Sequence, residues 1–138
     1  MQNGCVLDAC ALIAYFKDEE GWEAVQDLLE RAGQNEVNLL MSKYNLLEIY
    51  YGFYRADGKD RAEQVLETAT NLPIQIIDEL SDVVFREAGR LKAVYDISLA
   101  DAVALGLASA CETPLVTSDH HEISAIEKAE NITIHRFR

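Results

Sequence analysis

Gly4-Cys5-Val6-Leu7-Asp8-Ala9-Cys10-Ala11-Leu12-Ile13-Ala14-Tyr15-Phe16 decides the fold class. Its first four residues are a short apolar run, which reads as a buried strand with Asp8 at its end. Ala9 to Phe16 then reads as a short helix, broken by Asp18-Glu19-Glu20-Gly21. A buried strand that passes directly into a helix is the unit from which parallel sheets are built.

The same alternation continues outward. Trp22, Val25, Leu28 and Leu29 recur at helical spacing and predict an amphipathic helix over residues 20–32. Gly33-Gln34-Asn35 is a turn, and residues 37–41 read as a second strand. Ser42 is a candidate cap for a helix over 44–55. Tyr44, Leu47, Tyr51 and Tyr54 share one side of it, read as core plus a protein interface; Asn45, Glu48, Gly52 and Arg55 share another. A helix over 61–69 turns Ala62, Val65, Leu66 and Ala69 inward, and a third strand covers 73–77. The helix predicted over 79–95 buries Leu80, Val83, Val84, Ala88, Leu91 and Val94. After a further helix to about Cys111, residues 113–117 form a fourth strand, 122–128 a helix and 132–135 a last strand. Short apolar strands alternating with helices predict an α/β fold with a central, mostly parallel sheet. No linker, repeat or low-complexity tract divides the chain, so residues 1–138 are expected to form one domain.

Composition bounds the function. Among 138 residues, 49% are hydrophobic and 26% charged, the profile of a soluble globular domain. No apolar run is long enough to span a membrane, and the first residues lack the basic start of a secretory leader. Cys5, Cys10 and Cys111 are odd in number and have no C-x-x-C spacing, which points to reduced thiols in a cytoplasmic protein. Cys5 and Cys111 lie in apolar runs and are expected in the core. A net charge of −12 repels nucleic acid at long range, so a nucleic-acid substrate requires local basic patches or metal ions. A cationic protein partner fits that charge directly.

Ser98-Leu99-Ala100-Asp101-Ala102-Val103-Ala104-Leu105-Gly106-Leu107-Ala108 supplies a second acid in an unusual setting. Ser98 caps a helix of strong helix formers that is apolar nearly all round, and Asp101 is its one charge before Glu112. A lone carboxylate on such a face needs a partner. Either Ser98 and Asp101 form a capping box, or Asp101 belongs to a site. Asp8 after the first strand, Asp119 after the fourth and Glu48 mid-chain carry the same two readings: helix caps or a solvated charge on one side, a converging acidic site on the other. In parallel sheets such sites form beyond the carboxyl ends of the strands.

Val6-Leu7-Asp8-Ala9, Ser42 with Asn45-Leu46-Leu47-Glu48-Ile49, Ser98-Leu99-Ala100-Asp101-Ala102 and Leu115-Val116-Thr117-Ser118-Asp119 resemble, in order and spacing, the four acidic motifs of the PIN domain. The match spans essentially the whole chain, whose size resembles the VapC-type toxins of toxin–antitoxin pairs. The resemblance implies a PIN-like three-layer α/β/α sandwich and a Mg²⁺- or Mn²⁺-dependent endoribonuclease. It carries over Asp8, Glu48, Asp101 and Asp119 as catalytic and metal-binding acids. Two positions depart from the pattern: Ala9 stands where many relatives have Thr or Ser, and Glu122 where many have an aromatic.

The chemistry suits such a set. Crowded carboxylates raise one another's pKa unless a cation sits among them, and an all-oxygen site favours hard ions. Asp8 and Asp101 are the expected core ligands and Glu48 a second-metal or water-positioning acid, while Asp119 either binds the metal directly, binds through water, or only orients the others. His120 and His121 are adjacent rather than at i,i+4 spacing and read as loop residues. Arg55, Lys59, Arg61, Arg86, Arg90, Lys92, Arg136 and Arg138 are either phosphate contacts or ordinary solvated charges. The resemblance further implies an RNA substrate, an antitoxin with a basic segment over the acidic cleft, and a homodimer. The alternative is a non-catalytic PIN-like module that keeps the acids as a protein-binding surface. A phosphoryl-accepting receiver domain fits less well, because it has no use for Glu48 or Asp101.

Overall fold

A computed structural model describes residues 3–138. The reading of Met1 and Gln2 as free of a leader lies outside the described residues. The chain runs β1 (Gly4–Leu7), α1 (Ala9–Lys17), α2 (Trp22–Gly33), β2 (Asn38–Ser42), α3 (Lys43–Asp57) and α4 (Lys59–Asn71). It continues through β3 (Gln75–Ile77), α5 (Asp82–Val94), α6 (Leu99–Cys111), β4 (Leu115–Thr117), α7 (Glu122–Glu130) and β5 (Ile134–Arg136). The strands form one sheet in the order β3-β2-β1-β4-β5, every pair parallel. Val6 in β1 aligns with Leu40 on one side and Leu115 on the other.

Alternation along β1 explains the layers. Cys5 and Leu7 face a core completed by Leu12 of α1, Val25 of α2, Ile49 of α3 and Val65 of α4. Val6 faces the opposite core, with Leu91 of α5, Leu105 of α6 and Ile126 of α7. Burying both faces of the sheet gives the expected α/β/α sandwich. Short polar side chains start four of the helices. Asp8 accepts from the Ala11 N–H, Ser42 from Asn45, Ser81 from Val84 and Ser98 from Asp101. Each such cap contributes about 1 kcal/mol.

Gly106 lets α5 and α6 approach. A Cβ there would lie 3.0 Å from the Ala88 nitrogen and 3.2 Å from its Cα. The close fit packs α6 into the core, and with it the first turn that carries Asp101.

Three side-chain expectations are corrected. Val83 and Val94 are both 63% exposed, because the buried stripe of α5 is Val84, Ala88 and Leu91. Cys111 is exposed rather than core, since α6 ends there in a left-handed turn at Glu112. On α3 the core side is Leu46, Ile49 and Phe53 together with Asn45, whereas Tyr44, Leu47, Tyr51 and Tyr54 all face solvent. Hydrophobicity alone misassigned that helix, because its aromatic stripe and its core stripe are different faces.

Candidate active site

In the strand order the chain reverses direction of travel at β1: β2 and β3 lie on one side of it, β4 and β5 on the other. Open parallel sheets form their crevice at such a switch point, beyond the strand carboxyl ends. Asp8 leaves β1 there and Asp119 follows β4. The first turn of α6 brings Asp101, and the second turn of α3 brings Glu48. All four acids line one cleft of about 210 Å³, together with Cys10 and Thr117.

Asp8 is both a cap and a wall of this cleft. Its Oδ1 accepts from the Ala11 N–H at 3.2 Å and from the Cys10 thiol at 2.8 Å. Only 5% of its surface is exposed, and burial raises its proton affinity. Hydrogen bonds from Cys10, Thr117 and the backbone pull the other way. The thiol of Cys10 is itself pushed up to about 12, by burial first and then by the Asp8 charge, so it keeps its proton and donates it.

Asp101 both follows a capping serine and lines the cleft. The Ser98 hydroxyl accepts the Asp101 N–H at 3.1 Å, so the cap is real. The Asp101 carboxylate nevertheless faces the cleft, where burial and then Asp8 raise its pKa to about 6. Asp119 and Glu122 push in the same direction, and a hydrogen bond with Ser98 opposes them. Half-buried Glu48 is raised by burial, then by Asp101 and Asp8.

Asp119 is held by its own turn. Its Oδ1 accepts from the His121 N–H at 2.7 Å and from Glu122 at 3.2 Å, and its N–H donates to the Thr117 hydroxyl at 3.1 Å. Arg136 on β5 donates to the Asp119 carbonyl at 3.1 Å, which ties the loop to the sheet edge. Asp101, Asp119 and Glu122 each offer a carboxylate oxygen, all within 4.8 Å of one another.

Two residues of this neighbourhood escape sequence reasoning. Glu122 stood out in the sequence only as a departure from an aromatic position, three residues after Asp119, and not as a candidate ligand. Cys10 had no signal beyond its place two residues after Asp8. His120 is a loop residue, as predicted, with Nε2 2.7 Å from the Arg138 carbonyl oxygen. Of the basic candidates, Arg86, Arg90, Arg136 and Arg138 form ion pairs within the chain. Arg55 and Arg61 lie over the Tyr51 and Phe53 rings. A larger hollow of about 540 Å³ lies between α3 and α4, lined by Tyr44, Leu47, Tyr50 and Leu66. Its lining is mainly apolar, with Lys43, Glu63 and Asp78 beside the aromatic and aliphatic side chains, whereas the four converging acids line the smaller cleft.

Residues 5–129 match the PIN domain family. The chain belongs to that family. Its PIN fold is similar to that of VapBC2 from Rickettsia felis bound to a promoter DNA fragment. The likeness has a TM-score of 0.74 and 19% identity over 96% of this chain and 98% of that one. It is also similar to DNA-bound VapBC from Salmonella typhimurium, with a TM-score of 0.73 and 17% identity over 100% of both chains. VapC20 from Mycobacterium tuberculosis, a toxin that cleaves the sarcin–ricin loop, has a TM-score of 0.67. It is 11% identical over 88% of this chain and 94% of that one. No curated protein matches the chain. Among the described residues, no helix is long and apolar enough to cross a membrane.

The acids of this PIN domain fit a hard divalent cation. Their donors are all carboxylate oxygens, and three of those side chains hold protons more tightly than usual. Burial raises Asp8, and a cation would relieve the charge repulsion that adds to the shifts of Glu48 and Asp101.

Proposed function

We propose that this PIN domain is a Mg²⁺- or Mn²⁺-dependent endoribonuclease and the toxin of a toxin–antitoxin pair. The observation that carries the reading is the convergence of Asp8, Glu48, Asp101 and Asp119 on one cleft at the switch point of the sheet. The cleavage named for VapC20 supports RNA as the substrate.

Asp8 and Asp101 would hold the cation, with Asp119 completing the set directly or through water. When bound, the ion supplies Lewis-acid polarisation of the phosphoryl oxygen and an activated water. Glu48 would position an attacking water and accept its proton on a carboxylate oxygen. Burial, then the Asp101 and Asp8 charges, raise its proton affinity, the direction that a proton acceptor requires. Asp8, fixed by donors from Cys10 and Ala11, keeps its carboxylate from turning out of the cleft. No serine or cysteine nucleophile is required.

The partner in this reading is a small antitoxin whose basic segment covers the acidic cleft. The net charge of −12 supports it, as do the VapBC complexes among similar folds. A homodimer in the cytoplasm completes the proposal; the solvent-facing Tyr44, Leu47, Tyr51 and Tyr54 are apolar surface available to a protein contact.

The test is cleavage of a structured RNA pool in chelator, Mg²⁺ and Mn²⁺, with Asp8→Asn as the control. Cleavage only with metal, and lost in Asp8→Asn, is expected. Full activity after exhaustive chelation overturns the metal mechanism. Confirmed metal binding with no cleavage of any RNA favours the non-catalytic binding module instead.

A further inference from the structure

Cys10 lines the cleft, and the chemistry above uses only its bond to Asp8. Its sulfur makes four polar contacts to two separate turns. The thiol donates to Asp8 Oδ1 at 2.8 Å. The sulfur accepts from the Ser118 N–H at 3.3 Å and from the Ser118 hydroxyl at 3.2 Å. It lies 3.6 Å from the Thr117 hydroxyl oxygen. Ser118 directly precedes Asp119, so the sulfur joins the turn that presents Asp8 to the turn that presents Asp119.

We infer that Cys10 is a positioning residue of the acidic centre: its thiol fixes the Asp8 carboxylate and locks the β1–α1 turn to the β4 exit. The inference rests on the proposed cation site. An aliphatic side chain of similar size would fill the space but leave Asp8 without this donor and Ser118 without this acceptor. Ala9, next to Asp8, carries no polar side chain, and the thiol one position later supplies this turn's side-chain donor. Sulfur's large radius and weak directionality let one atom serve both turns. Cation affinity depends on such outer contacts, because ligands free to rotate must be ordered when the ion binds.

The test is Mn²⁺ binding to the full chain, followed by electron paramagnetic resonance, with melting in chelator as the folding control. Cys10→Ala is expected to weaken Mn²⁺ binding about tenfold or more. Cys10→Ser, which retains a donor and an acceptor, is expected to recover most of the loss. Cys10→Val keeps the volume without the donor and replaces Cys10→Ala if the smaller side chain fails to fold; it is expected to behave as Cys10→Ala does. Wild-type Mn²⁺ affinity in Cys10→Ala or Cys10→Val overturns the inference. So does a Cys10→Ser protein as impaired as Cys10→Ala, which would make the sulfur a packing atom only. Wild-type protein that binds no Mn²⁺ overturns the proposed function itself, and that result is distinct from either of the others.

Discussion

After burial, the carboxylate of Asp8 at the end of β1 is the strongest influence raising Asp101 on α6, to about 6. The two residues are far apart in sequence and meet because β1 and β4 are parallel neighbours with α6 leading into β4. Their proximity is unfavourable without a cation, and the pH dependence of stability should record it.

Asp101 has a folded pKa above its unfolded value near 3.9, so the folded chain binds more protons between about pH 4 and about pH 6. Its contribution to stability is complete below that window and is lost as pH rises through it. In chelator, urea midpoints of wild type and Asp101→Asn should therefore diverge as pH rises, with wild type falling relative to the mutant. Parallel curves from roughly pH 4 to roughly pH 7 would show that Asp101 carries no such strain. Protons and cation compete for the same oxygens, so Mg²⁺ affinity is expected to weaken as pH falls below about 6.

Glu48→Gln tests the proton acceptor. The side chain is half-buried on α3 and its shape is conserved, so melting should change little. Cleavage should fall by about 10²–10⁴-fold, the range for loss of a positioned acid or base. The loss should appear in kcat rather than in the KM for RNA. An unchanged kcat would reduce Glu48 to a solvated charge.

The elements and the acids were legible in the sequence for different reasons. Strands announced themselves as short apolar runs, and caps at Asp8, Ser42 and Ser98 followed from residue chemistry. The convergence of Asp8 with Asp119 followed from parallel strand direction. Val83 and Val94 were misplaced because α5 meets its neighbours along a narrow stripe, which one helix's periodicity does not define. Tyr44 and Tyr51 were misread in part because an apolar surface and an apolar core have the same composition. The bonds of Cys10 to Ser118 join residues 108 positions apart, a contact that no local pattern encodes.

A basic antitoxin segment should associate at a rate set by charge. The chain carries −12 overall, and its cleft concentrates acids without a cationic side chain among its described lining residues. Steering between exposed opposite charges is screened over about 10 Å at 0.1 M salt. Association measured by stopped flow should slow by about tenfold or more from low to high salt, while dissociation changes less. An association rate indifferent to ionic strength would place the contact on the apolar α3–α4 hollow instead of on the acids.

Asp101→Asn separates the cap from the centre. Asparagine keeps the shape and hydrogen-bonding capacity of the side chain, and the Ser98 cap uses the residue's backbone N–H, which the substitution leaves in place. If the carboxylate belongs to a strained acidic cluster, its removal should leave the cation-free protein as stable as wild type or more so. The gain is on the order of 1 kcal/mol once the screening of a partly exposed group is allowed for. In Mg²⁺ the difference should shrink or reverse, because wild type gains RT ln(1 + [Mg²⁺]/Kd) and the mutant gains less. Cleavage should drop by orders of magnitude. If the carboxylate serves mainly the helix start, the mutant should instead lose about 0.5–1 kcal/mol equally in chelator and in Mg²⁺. Thermal melts of both proteins under both conditions decide it. A deficit that ignores the metal would return Asp101 to a structural role and remove the central ligand from the proposed site.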